Sequence, residues 1–153
     1  MKRMYENQWV YIGFRWINLS DIVDKEVNLM CYDASSNEDK LVKTKVVKEG
    51  KEKIDFTVFK LSTGDLVRYY EKPHLLYVNH DTREESEIPD VKEESVRVFT
   101  HEYDSLLLKN ETRTRKVMET SIVSDEVEQY SIELPEHYYV LTKELEDAIA
   151  TFK

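Results

Sequence analysis

The sequence predicts an α+β domain dominated by antiparallel sheet, with about eight or nine strands forming a barrel or a sandwich and a short C-terminal helix. Three observations carry this reading. Apolar and polar residues alternate over most of the chain, the period of a half-buried strand. Helical spacing of apolar residues appears only near the end. Hydrophobic residues make up 41% of the chain, and 10 of its aromatics are Tyr, a good strand former.

At 153 residues the chain reads as one domain, residues 1–153, long enough for a full core. Val10, Ile12, Phe14 and Trp16 share one parity and Trp9, Tyr11, Ile17 and Leu19 the other, which suggests a central strand apolar on both faces. Ser20-Asp21 opens a helical turn. Val27, Leu29 and Cys31 then alternate with Asn28, Met30 and Tyr32. From Leu41 to Val47, Lys43 and Lys45 share one face and Val42, Thr44 and Val46 the other, suiting an exposed edge.

Residues 54–80 read as a three-stranded antiparallel meander. Ile54, Phe56 and Val58 alternate with their neighbours, and Ser62-Thr63-Gly64-Asp65 supplies turn chemistry. Leu66 to Glu71 returns, Lys72-Pro73 interrupts, and Leu75 to Val78 resumes. Further strands are expected over residues 96–101, 106–108, 112–123 and 127–134, with Pro135 ending the last. Leu145, Ala148, Ile149 and Phe152 stand at i, i+3, i+4 and i+7, one helical stripe with Thr142 as N-cap. A barrel followed by a helix would be similar to the lipocalin arrangement. The Gly-x-Trp of that family is not matched by Gly13-Phe14-Arg15-Trp16, and no family is assigned.

Charge divides the chain. Residues 1–80 carry 13 Lys/Arg against 12 Asp/Glu, and residues 81–153 carry 9 against 19, a net of −10. The segment 81–94 holds seven acids against two bases and reads as an acidic loop or linker. An overall charge of −9 disfavours direct binding of nucleic acid. The single Cys31 fits a reducing, cytoplasmic setting. No signal-peptide core follows Met1-Lys2-Arg3, and no apolar run approaches the ~20 residues that span a bilayer, so no membrane is expected. Asn110-Glu111-Thr112 is then an idle sequon.

Catalytic signatures are missing. Gly-x-Ser-x-Gly, P-loop and Gly-x-Gly-x-x-Gly patterns do not occur. Cys31 lies in an apolar alternation and reads as a packed thiol. Pro89-Asp90 opens a nuclease-like pattern that no downstream Asp/Glu-x-Lys completes, and Glu49-Gly50-Lys51 lies upstream. His74, His80, His101 and His137 match no zinc spacing, so neither metal nor cofactor is expected. Lys109, Arg113, Arg115 and Lys116 form a basic island, best explained by ion pairs across a sheet face.

These features lead to a non-catalytic acidic protein-binding module, an inhibitor or nucleic-acid mimic, engaging a basic protein surface such as that of a nucleic-acid-binding protein. Glu84, Glu85, Glu87, Asp90, Glu93 and Glu94 are its expected contacts. The alternatives are a small-ligand barrel lined by Trp16, Phe56 and Tyr70, and a hydrolase using carboxylates with His80 or His101.

Overall fold

The computed structural model describes residues 2–70, 74–76, 85–87, 97–145 and 147–153, the short segments 74–76 and 85–87 as backbone alone. Twelve strands lie among them: β1 (Lys2–Tyr5), β2 (Trp9–Tyr11), β3 (Trp16–Asn18), β4 (Glu26–Asp33), β5 (Glu38–Leu61), β6 (Leu66–Tyr70), β7 (His74–Leu76), β8 (Glu85–Glu87), β9 (Arg97–Asp104), β10 (Lys109–Ile132), β11 (Tyr138–Lys143) and β12 (Ala150–Phe152). The expected antiparallel β character holds. Helix among the described residues is limited to a 3-10 turn at Leu19–Ile22, where Asn18 caps the Ser20 amide.

The main sheet runs β1-β10-β9-β12-β11-β4-β5-β6, and β10 also pairs with β5. The path β10-β9-β12-β11-β4-β5 therefore returns to β10. Two strands of 24 residues make this possible. The first part of β5 pairs with β4 and its later part with β10, while β10 begins on β9. The β5–β10 ladder shifts register between Gln129 and Tyr130, opposite Gly50 at φ +104. A bulge of this kind bends a strand and lets it leave one partner for another, and glycine takes the positive φ without a Cβ clash.

The lysine alternation is as expected: Lys43 and Lys45 are exposed while Thr44 and Val46 are buried. Among the described residues, 38–45 pair with β4 only, an edge that lysines suit. β5 and β6 form the first two strands of the expected meander, turning at Gly64 with φ +89.

Four expectations are corrected. No helix forms among the described C-terminal residues: residues 144–145 and 147–148 bend or turn, Leu145 is 69% exposed, and Ala150–Phe152 forms β12. β12 fills the slot between two strands, pairing Thr151 with both Thr142 and Thr100. A ten-residue helix with an incomplete cap is marginal in water, and a slot offering ladder bonds on both sides outweighs it. Residues 9–18 are a hairpin, β2 with β3, rather than one central strand, and Leu19 begins the 3-10 turn. The β2–β3 connection places Gly13 at φ +99, with the Ile12 amide donating to the Arg15 carbonyl at 3.0 Å.

Leu106–Leu108 is a turn capped by Asp104, not a strand. The third meander strand pairs elsewhere: β7 meets β8, whose Glu85–Glu87 interrupts the expected loop 81–94. The remainder of that segment lies outside the described residues, as do residues 77–80.

Burial falls into four clusters. The largest gathers Val10, Leu19, Leu29, Cys31, Ile132 and Val140, all fully buried, from strands far apart in sequence. A smaller one, Tyr5, Ile54, Phe56 and Val127, underlies the site described next.

Candidate functional site

The two ends of the described chain meet on β11. The Lys2 ammonium lies 4.3 Å from the centre of the Tyr139 ring. Lys153 continues the β12 ladder, its amide donating to the Val140 carbonyl at 2.8 Å and its carbonyl accepting from the Val140 amide at 2.6 Å. Adjacent residues of one strand thus receive the Lys2 side chain and the Lys153 backbone.

A buried polar cluster fastens this junction. The Lys153 ammonium donates to Glu144 Oε1 and, at 3.2 Å, to the Tyr5 hydroxyl, which itself donates to the same carboxylate oxygen. Arg68 Nη2 stands 3.6 Å from Glu144 Oε2, and its guanidinium lies over the Tyr5 and Phe56 rings at 4.9 and 4.7 Å. β1, β6, the turn after β11 and the residue after β12 are therefore joined through one carboxylate.

Burial alone would push Glu144 upward. The Lys153 charge, the Lys153 and Tyr5 hydrogen bonds and Arg68 outweigh it and hold the carboxyl below its ordinary value. Burial pushes the Lys153 ammonium down, against the pull of Glu144. Burial and Glu144 together raise the Tyr5 phenol well above its usual value. The cluster is a staple of charge and hydrogen bonds. The described side chains around it present no accessible nucleophile.

The one thiol lies near the junction but inside the core. Cys31 pairs with Val140 across β4 and β11 and is fully buried, as its apolar alternation predicts. Burial pushes it up to about 12, against a smaller downward pull from Lys2. Since the thiolate is the reactive form, Cys31 is inert in the folded state. A thiol-specific alkylating reagent at pH 8 is expected to leave the folded protein unmodified and to label it fully in denaturant. Labelling of the native protein as fast as free cysteine would refute this placement.

Of the six acids singled out in sequence, Glu84, Asp90, Glu93 and Glu94 lie outside the described residues. Glu85 and Glu87 lie on β8, two residues apart on its backbone. On the β9–β10 hairpin of the acidic half, the carboxylates are paired. Glu102 accepts from Arg115 Nε at 2.8 Å and Nη2 at 2.5 Å, and Arg113 bridges Asp104 and Glu111. The basic island is the ion-paired sheet face that its sequence predicts.

Among the described residues no group of three or more His, Cys, Asp or Glu is arranged for a metal. His101 sits against Phe152, with a buried Nδ1 that lacks a hydrogen-bond partner, and burial lowers its pKa. His137 Nε2 is 3.7 Å from Asp33, and His80 lies outside the described residues. Phe56 and Tyr70 pair across β5 and β6, whereas Trp16 packs with Tyr11 in a separate cluster; the three do not line one interior.

The sequence reading missed Tyr5, Arg68, Glu144 and Lys153. Glu144 and Lys153 fell in or beside the expected helix, and nothing local marks a contact spanning 148 positions, as between Lys153 and Tyr5.

No protein-family description and no curated relative matches the sequence. Solved structures do. The DnaX mini intein of Spirulina platensis is similar with a TM-score of 0.65 at 9% identity, covering 99% of this chain and 100% of that one. An intein from a hyperthermophile gives 0.65 at 13% identity, covering 99% and 100%. A splice-inactive variant of the AceL NrdHF class 3 split intein gives 0.64 at 10% identity, covering 99% and 97%.

These neighbours overturn the expectation of an acidic inhibitor or nucleic-acid mimic, and with it the ligand barrel, since the structures that match are consistently inteins. The physical reason is plain. Net charge governs solubility and long-range attraction but leaves the fold open, so acidity could not distinguish these architectures. No helix among the described residues is long and apolar enough to cross a membrane. Along nearly its whole length, the chain has the fold of the inteins.

Proposed function

We propose that this chain is an intein-type domain that holds the polypeptide segments flanking it side by side, acting in cis and without thiol chemistry. The observation that carries this reading is the convergence of Lys2 and Lys153 on Tyr139-Val140, stapled by Glu144. Splicing requires the two flanks to be brought together. Here β1 pairs with β10 and β12 lies between β9 and β11, while the Lys2 side chain and the Lys153 backbone both reach Tyr139-Val140 on β11.

The chemistry differs. The similar split intein is splice-inactive with one cysteine and one asparagine changed to alanine. Here Tyr138–Lys153 contains neither residue type, and the only thiol is locked in the core.

The test places residues 1–153 between two fluorescent proteins. The expected product is an intact fusion by mass, before and after incubation with added thiol, showing efficient energy transfer that Glu144→Ala reduces. Ligated or released reporters would replace this reading with active processing. An intact fusion with weak transfer would refute the holding function.

A further inference from the structure

The hairpin joining β9 and β10 carries a feature the intein-type reading does not use. Leu106, Leu107 and Leu108 occupy its tip at 93%, 56% and 76% exposure, beside Tyr103 at 62%. Among the described residues, β12 is the only strand besides β10 that pairs with β9, at Thr100 and His101. Beyond these the hairpin pairs only with itself. The tip therefore extends beyond the β9–β12 pairing, with its leucines exposed.

Its backbone is strained for an apolar cause. Leu108 has φ +52, while the other non-glycine residues at positive φ are Asn7, Asp24 and Asn37, types that tolerate this region. A leucine there costs stability that asparagine or glycine would not.

The surrounding charge is cancelled. Residues 102–115 hold three acids, Glu102, Asp104 and Glu111, and three bases, Lys109, Arg113 and Arg115, in a chain of net charge −9. All six are ion-paired within the hairpin: Glu102 with Arg115, Asp104 with Arg113, and Glu111 with Lys109 and Arg113. Asp104 also accepts the amides of Leu106 and Leu107 at 2.9 and 3.1 Å, which fixes the turn.

We propose that this tip inserts into the interface of a zwitterionic lipid bilayer, as a peripheral contact distinct from any spanning segment. Consecutive turn residues fan out in different directions, so one shaped protein pocket would not receive all three leucines, whereas fluid acyl chains would. Tyr103 and Lys109 suit the headgroup level, where a phenol and a long cationic side chain keep their polar ends wet. Neutrality matches a zwitterionic surface. An anionic one would repel the rest of the chain.

The test is co-flotation of the full chain with phosphatidylcholine vesicles. Measurable partitioning is expected, lost at least tenfold in the Leu106→Ser/Leu107→Ser double variant and weakened when phosphatidylserine replaces part of the lipid. Leu108→Asn provides a readout that a folding role could not mimic: the melting temperature rises while partitioning falls. No flotation at millimolar phosphatidylcholine, or flotation indifferent to these variants, overturns the proposal. So does binding strengthened by phosphatidylserine. A doubling of mass in solution that Leu106→Ser abolishes, without flotation, assigns the tip to a second copy instead and equally overturns it.

Discussion

Replacing Glu144 with alanine is expected to destabilise the protein by roughly 3–5 kcal/mol, because it strands the Lys153 ammonium in a site where no other acid among the described residues is in contact. In a domain of this size that lowers the melting temperature by roughly 6–20 °C. The loss measures an uncompensated buried charge rather than the worth of the pair. Glu144→Gln combined with Lys153→Met should therefore recover most of it, since apolar replacement of a buried ion pair is often neutral.

Acid acts on the same group. Glu144 is held below its ordinary value in the folded state, so its contribution is full above the unfolded carboxylate pKa of about 4.3 and is lost as pH falls through the folded value. Glu102 and Asp104, lowered by Arg115 and by the Leu107 amide respectively, act in the same direction. Melting temperatures recorded from pH 7 down to pH 2 should fall steeply in the wild type and less steeply in Glu144→Ala. Identical acid limbs, or a single variant as stable as the parent, would show that the staple does not hold the ends.

Phe56→Ala should cost a comparable amount, roughly 3–5 kcal/mol, through the cavity it leaves. Phe56 is fully buried, packs edge-on against Tyr5 at 4.6 Å between ring centres, and supports the Arg68 guanidinium. Its removal takes away the floor of the polar cluster as well as apolar area, so it should also reduce energy transfer in the fusion test. Ile122→Ala, at a position 74% exposed, serves as the control and should change stability by no more than about 0.5 kcal/mol. Equal denaturant midpoints for Phe56→Ala and the parent would mean that this cluster is not packed as described.

The strand character of the chain was legible wherever one face meets water. Lys43 to Val46 alternates in sequence as it does in burial, because a strand with one solvated face must alternate, whereas Val98, Phe99 and Thr100 are all buried and that stretch does not. The turn at Gly64 was legible for a local reason, a positive φ that glycine takes without cost. The leucines at 106–108 were misread as a strand because an exposed apolar tip has the composition of a buried one. The C-terminal stripe failed differently: its helical spacing is genuine, but the competing slot between β9 and β11 exists only after distant strands have assembled.

By itself, then, the sequence determined an antiparallel β domain, a packed and inert Cys31, and an ion-paired basic island. All of these follow from period, polarity or neighbouring charge. Only the tertiary structure decided that β12 is a strand, that Lys2 and Lys153 meet on β11, and that Glu144 joins them. Those contacts bridge residues up to 148 positions apart, and no local preference encodes a pairing whose free energy arises when both partners leave water together.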